Sequence, residues 1–285
     1  MILVTGATAP VGRHLVEELL AAGHGVRALT RNPEEADLPE GAEVVAGDLS
    51  QPETLPAALE GVSAAFLQAY VPGFAPAFMG AAKDAGLNQV VFQSSGAVRD
   101  DLEEQPNPIA AFHHDIEREI EGSRLEWTFL RLEVLSSNAI QWAMEVPEQV
   151  RDGNDVVRGP YAEAEGSPIH AADIAAAGAA ALTSDGHAGS KYLLTGPESL
   201  THAEQVGIIG EAIGRPLRYE ELAPEVAREE MIGHGQPPPV VDFLLGSWAG
   251  SFGNTAPVTD AVERITGRPA RTFARWASDY AEDFR

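Results

Sequence analysis

The first half of the chain alternates short runs of continuous apolar residues with longer stretches in which apolar residues recur every three or four positions. Ile2 to Val4 reads as a buried strand, and Val11, Leu15, Val16, Leu19 and Leu20 then follow at helical spacing. Gly23 and Gly25 close that helix, and Val26 to Leu29 is the next apolar run. Val44-Val45, Ala64 to Leu67 and Val90 to Phe92 continue the series, with helical patterns at Glu53 to Leu59 and Phe74 to Ala85. A further helix, Ile109 to Ile120, leads to a sixth strand, Glu126 to Leu130. Strands that are apolar on both sides and alternate with helices imply a parallel sheet covered on both faces.

After Leu132 the pattern loosens. Asp152 to Ser167 is rich in glycine and acids with weak periodicity, Tyr192 to Leu194 reads as a strand, and the remainder is mostly helical, interrupted by Gly233 to Pro239. The expected organisation is a nucleotide-binding core over 1–133, to which 168–200 returns, and a smaller lobe built from 134–167 and 201–285. The run Glu220 to Glu230 reads as the solvated face of a helix.

The turn between the first strand and the first helix is Gly6-Ala7-Thr8-Ala9-Pro10-Val11-Gly12. Glycines there permit a tight turn and a close backbone approach, and the free N–H groups and dipole of the helix start attract a pyrophosphate. Gly6, Thr8, Ala9, Pro10, Val11 and Gly12 are therefore the expected phosphate-binding residues. The end of the second strand selects the dinucleotide: an acid binds the ribose 2′-OH of NAD, and an arginine accepts the 2′-phosphate of NADP. The residues there are Thr30-Arg31-Asn32, with no acid before Glu34. Arg31 points to NADP(H), and Arg13 could add a second positive charge.

Composition narrows the function. The 285 residues hold 43 acids against 19 Lys plus Arg, a formal net charge of -24. No cationic face for nucleic acid or anionic lipid is expected from that balance. There is no cysteine, which removes disulfides, thiolate metal sites and a cysteine nucleophile. No apolar run reaches the ~20 residues of a membrane span, and the start of the chain lacks the basic region of a signal peptide. The expectation is a cytoplasmic protein acting on a small molecule, with a homodimer possible.

Further motifs extend the picture. The turn GATAPVG, the segment Val26 to Pro33, Gly47-Asp48-Leu49, Val91 to Ser95, Trp127 to Arg131, Tyr192 to Pro197 and Val262 to Pro269 together resemble the NmrA-like group of atypical, extended short-chain dehydrogenases, over nearly the whole chain. The resemblance implies an α/β fold: a Rossmann-type doubly wound parallel sheet with a smaller, mostly helical C-terminal substrate lobe. By matching positions it implies that Asp48 and Leu49 line an adenine pocket, that Gln68 and Ala69 pass along the cofactor, and that Ser94 and Ser95 lie near the nicotinamide. Ala9 stands where the family commonly has a middle glycine. Arg131 and Asn138 match positions that anchor the lobe or the cofactor. His170 to Asp173 resembles the turn before a helix packed on the core, with Asp173 as a structural acceptor.

Ordinary short-chain dehydrogenases use a Tyr-x-x-x-Lys pair, whose tyrosine protonates the substrate oxygen. Here Tyr70, Tyr161, Tyr192, Tyr219 and Tyr280 are followed four residues on by Phe74, Glu165, Gly196, Ala223 and Phe284. The only lysines are Lys83 and Lys191, and neither completes the pair. The helix after the fifth strand carries His113-His114 instead. At 100° per residue His113 lies about 55° from the centre of the apolar face and His114 about 155° away. His113 therefore points inward and is the candidate catalytic residue, the resemblance placing a His or Lys at the matching position; a packed histidine bonded to a carbonyl is the alternative. Glu117 sits one turn on, but no third ligand completes a metal site. Phe243, Trp248 and Phe252 could line an aromatic pocket or form lobe core.

Without a strong general acid, hydride is best accepted by a delocalised substrate. The reading is an NADPH-dependent reductase of a conjugated or aromatic acceptor such as a quinone or enone. The alternatives are a non-catalytic NADP-binding redox sensor and, disfavoured by the missing tyrosine, an isomerase or epimerase.

Overall fold

The computed structural model describes residues 1–137, 149–150 and 153–284; Asn138 lies outside them. In chain order the first elements are β1 (Ile2–Val4), α1 (Pro10–Ala21), β2 (Val26–Thr30), β3 (Glu43–Ala46), α2 (Leu55–Leu59), β4 (Ala64–Leu67) and α3 (Ala75–Ala85). Then come β5 (Gln89–Ser95), α4 (Pro108–Glu121), β6 (Glu126–Leu132), β7 (Val134–Leu135), β8 (Val156–Gly159), β9 (Glu165–Gly166) and β10 (Pro168–Ile169). They are followed by α5 (Ala171–Thr183), β11 (Ser190–Leu194), β12 (Leu200–Thr201), α6 (His202–Ile213), β13 (Arg218–Glu221), α7 (Pro224–Gly233) and α8 (Pro238–Ser251). The last helices are α9 (Ala261–Thr266) and α10 (Phe273–Asp279).

The chain divides into two compact units. One comprises Met1–Leu132, Ala171–Leu194 and Ala261–Arg268; the other comprises Glu133–His170, Thr195–Asp260 and Pro269–Arg285. The chain thus re-enters the first unit a second time, through α9.

The first unit is a seven-stranded sheet in the order β11-β6-β5-β4-β1-β2-β3, with every neighbouring pair parallel. This is the Rossmann-type doubly wound arrangement, and the strand order reverses between β1 and β4. The reason is visible in the residues. β1 and β4 are buried along their whole length, as strands covered on both faces must be. On one face, Leu59, Phe74, Phe78, Phe92, Ile116 and Phe129 form the core beneath α2, α3 and α4. On the other, α5 approaches through Gly178, where a Cβ would press on the Phe66 ring at 2.9 Å. Helix starts and stops follow local chemistry. Asn107 caps α4 by accepting from Ala110 N at 2.8 Å, with Pro108 as the first helical residue. Gly86 ends α3 in the left-handed conformation at φ 75°.

The second unit has its own core, in which Val206, Ile209 and Ile213 of α6 meet Phe273 and Trp276 of α10. Phe273 and Trp276 stack at 5.0 Å between ring centres. Two expectations change here. The loosely patterned stretch before Ser167 contains strands, and β8 pairs in parallel with β13 from Val156 to Gly159. Accordingly the acidic run from Glu220 is not one helix face: Glu220 and Glu221 end a strand, and the helix begins at Pro224. The charged, exposed side of a two-stranded ribbon looks like a solvated helix when only polarity is read. Trp248 packs edge-on to His202 at 5.2 Å and belongs to the lobe core, while Phe252 is 53% exposed. Among the described residues no helix is long and apolar enough to cross a membrane.

Candidate functional site

A groove of about 530 Å³ opens at the carboxyl ends of β1, β2, β3 and β4, where the strand order reverses. Its floor begins at Thr5, Gly6 and Thr8. Thr5 Oγ1 donates to the Gln68 carbonyl at 2.9 Å and accepts from Gln68 N at 2.8 Å, tying β1 to the end of β4. Gly6 adopts φ 62°, a conformation that favours glycine, and a Cβ there would lie 2.8 Å from Gln68 Oε1. A Cβ on Gly12 would run into the Gly6 carbonyl oxygen and Ala7 Cα. Gly6 is therefore favoured by its backbone angle, and Gly12 is required by space. Ala9 occupies the N-cap of α1 without a side-chain cap, Pro10 is the first helical residue, and the first turn carries no acid. The N–H groups of Val11 and Gly12 are left for an anion.

The β2 end of the groove is lined by Thr30, Arg31, Asn32 and Glu35. Arg31 is exposed and makes no ion pair among the described residues. Arg13 is not free to help it, since its guanidinium meets Asp37 at 3.2 Å. At the β3 end, Asp48 Oδ1 accepts from Ser50 N and Ser50 Oγ, both at 2.8 Å. Those bonds, with the positive charge of Arg31 behind them, hold its carboxyl below the usual range. A Cβ on Gly47 would collide with Leu29 Cδ1. Leu49 is buried beside Asp48.

Gln68, Ala69 and Tyr70 form the β4 wall. Gln68 is buried, donates from Nε2 to Tyr70 Oη at 3.1 Å, and leaves Oε1 buried without a partner. Tyr70 itself is 70% exposed. A backbone cradle for an anion, an arginine without an ion pair, a buried orphan amide oxygen and the apolar side chains of Leu29, Leu49 and Val71 suit a dinucleotide. A second hollow of about 300 Å³ lies at the opposite ends of the strands, lined by Ile2, Ala64, Gln89, Glu126 and the end of α5. Carbonyl ends of a helix and a glutamate face it, which suits an anionic cofactor poorly.

The groove brings together Gly6, Thr8, Arg31, Asp48, Leu49, Gln68 and Ala69, and adjoins the α1 start at Ala9 to Gly12. Ser94 and His113 are not among its lining residues. Ser94 is buried and donates from Oγ to Glu117 Oε1 at 2.6 Å. Glu117 also receives Arg131 through Nε at 3.0 Å and Nη2 at 2.6 Å. Arg131 reaches Asp100 with two bonds of 2.8 Å, and Lys191 joins Asp100 at 2.7 Å and Glu121 at 2.9 Å. This chain of charges holds the loop after β5 to β6 and α4. The Arg131 hydrogen bonds keep the Asp100 carboxyl far below the usual range. Burial pulls on the Lys191 ammonium, but its bonds to Asp100 and Glu121 prevail and raise it.

His113 does point inward, its ring 5.7 Å from that of Phe92 and 5.1 Å from that of Phe112. Nδ1 is buried with no partner, and burial pushes the imidazole down to about 4. His114 is half-buried rather than fully in solvent. No group of three metal-ligating side chains occurs among the described residues. Sequence reasoning missed Asn32, Glu35 and Tyr70 as groove residues. It also missed the burial of Glu117, for which the available signal was an arginine inside the apolar run of β6.

A family model described as NAD(P)H-binding matches residues 6–185. A (4-alkanoyl-5-oxo-2,5-dihydrofuran-3-yl)methyl phosphate reductase of Streptomyces griseus is 37% identical, covering 100% of this chain and 99% of that protein. An NAD(P)H azoreductase of Xenophilus azovorans is 35% identical, with 100% and 99% covered. The crystal structure of an NADPH-dependent quinone oxidoreductase of Escherichia coli, complexed with NADPH, superposes with a TM-score of 0.80 at 26% identity, covering 98% of this chain and 99% of that one.

Proposed function

The chain belongs to the NAD(P)H-binding family, as its NmrA-like motifs implied, and on that footing we propose that it is an NADPH-dependent reductase of conjugated acceptors: quinones, enones or azo compounds. The observation that carries the reading is the state of the two lysines. Lys191 is held between Asp100 and Glu121, and Lys83 sits in the last turn of α3. Neither stands four positions after a tyrosine, so the Tyr-x-x-x-Lys arrangement that would give a lysine-activated proton donor is absent from the sequence. A simple ketone needs such a donor as its oxygen becomes an alkoxide. A conjugated acceptor does not, because the added electron pair spreads over the system and the proton comes afterwards from water. The full-length relatives support this, since a furanone, an azo compound and a quinone are all conjugated.

In this proposal the pyrophosphate lies on the N–H groups of Val11 and Gly12, with Gly6, Thr8, Ala9 and Pro10 shaping the turn. Arg31 faces the 2′-phosphate, Asp48 and Leu49 hold the adenine, and Gln68 and Ala69 follow the ribose and pyrophosphate. When bound, the cofactor supplies hydride; one proton from water completes the reduction. Ser94 positions Glu117 and, through it, the loop after β5. His113, the candidate catalytic residue, is held toward the neutral imidazole by burial and would not serve as an imidazolium acid at pH 7. The test is NADPH oxidation over a panel of quinones, enones and azo dyes beside unconjugated ketones. Turnover is expected on the conjugated members and at least a hundredfold less on the ketones. Binding of NADPH without turnover on any acceptor would favour the sensor reading instead.

A further inference from the structure

The β2 end of the groove carries both signs of charge. The 3₁₀ turn Pro33–Glu35 follows β2 directly and brings Glu35, not Glu34, onto the groove wall beside Arg31. Glu35 is held there: Asn32 Nδ2 donates to Glu35 Oε2 at 3.0 Å, and Glu35 N donates to the Asn32 carbonyl at 3.2 Å. Asp48 adds a second carboxylate, but its Oδ1 is occupied by Ser50 N and Oγ. Arg13 and Asp37 cancel one another nearby. Arg31, which makes no ion pair among the described residues but feels the charge of Asp48, therefore shares the wall with a carboxylate that Asn32 orients.

The two groups favour different ligands. A guanidinium attracts a 2′-phosphate, whereas a carboxylate repels it and accepts from ribose hydroxyls. Resting on the dinucleotide reading of this groove, we propose that Glu35, positioned by Asn32, is a specificity-determining residue that opposes Arg31. It weakens capture of the 2′-phosphate and leaves the groove able to use NADH as well as NADPH.

The test needs no turnover. Titration calorimetry with 2′,5′-ADP and 5′-AMP reads the adenosine end alone, and NADP⁺ and NAD⁺ then read the whole dinucleotide. Glu35→Gln should tighten 2′,5′-ADP about three- to tenfold and leave 5′-AMP unchanged or weaker. Asn32→Ala, which frees the carboxylate, should act in the same direction by less. Arg31→Ala should act in the opposite direction, weakening 2′,5′-ADP tenfold or more with little effect on 5′-AMP. If Glu35→Gln shifts both probes equally, or neither, the proposal is overturned while dinucleotide binding stands. If the wild type binds none of the four ligands, the dinucleotide reading itself fails first.

Discussion

At the scale of single residues, the most informative group is His113. Its ring lies between Phe92 and Phe112 with Nδ1 unpartnered, and burial lowers its pKa to about 4. The unfolded chain, titrating near the ordinary value of about 6.5, binds the extra proton over the whole interval between the two. Stability from this residue is therefore complete above about pH 6.5 and is lost as the pH falls toward 4. His113→Phe keeps a ring in the site and removes the titration. Urea unfolding should show wild type losing about 2 kcal/mol more than the variant between pH 7 and 5, with parallel behaviour above pH 7. Parallel curves throughout would mean that the imidazole is hydrated in the folded protein. The inward direction of His113 was legible from helical phase alone. The Arg131–Glu117–Asp100 chain was not, because its members stand 14 and 31 positions apart and meet only after β5, α4 and β6 pack.

Among the elements, the turn from β1 into α1 has little freedom. A Cβ on Gly12 meets backbone atoms, which cannot swing aside as a flexible side chain can. Gly12→Ala should weaken NADP⁺ binding at least tenfold and destabilise the fold by about 1–3 kcal/mol, the usual range for overpacking. Gly80 in α3 is the control, because it is exposed and a Cβ there meets nothing within 4 Å. Gly80→Ala should stabilise by about 0.5–1 kcal/mol and leave binding alone. Calorimetric melts with and without NADP⁺ read both effects, and wild-type affinity in Gly12→Ala would contradict the cradle. The same contrast explains what the sequence could disclose about elements. β1 and β4 are apolar on both sides, as is β5 over Val90 to Phe92, so their composition announces them. β7, β9, β10 and β12 are two residues long, too short for any period, and β13 is polar because it forms a two-stranded ribbon with β8. The groove residues at the strand ends were expected from position; Glu35 was not, since a 3₁₀ turn decides which of two adjacent glutamates lines the groove.

Across the whole molecule, a net charge of -24 must admit a polyanionic cofactor. Two distances separate the opposing effects. The N–H groups of α1 and the Arg31 guanidinium act at contact, whereas the protein's overall field acts along the approach and is screened over ~8 Å at physiological salt. Long-range repulsion slows encounter, and short-range donors slow departure. Raising salt should therefore accelerate association and, by weakening the Arg31 contact, accelerate dissociation too. Between about 20 and 300 mM NaCl, stopped-flow fluorescence should show the NADPH association rate rising several-fold. The rise should be smaller for NADH, which carries fewer charges. The opposite slope, an association rate that falls with salt, would mean that Arg31 and the helix start outweigh the acids at the groove mouth as well as inside it. In that case Glu35 would have little repulsion to add, so this measurement and the binding of 2′,5′-ADP to Glu35→Gln constrain one another.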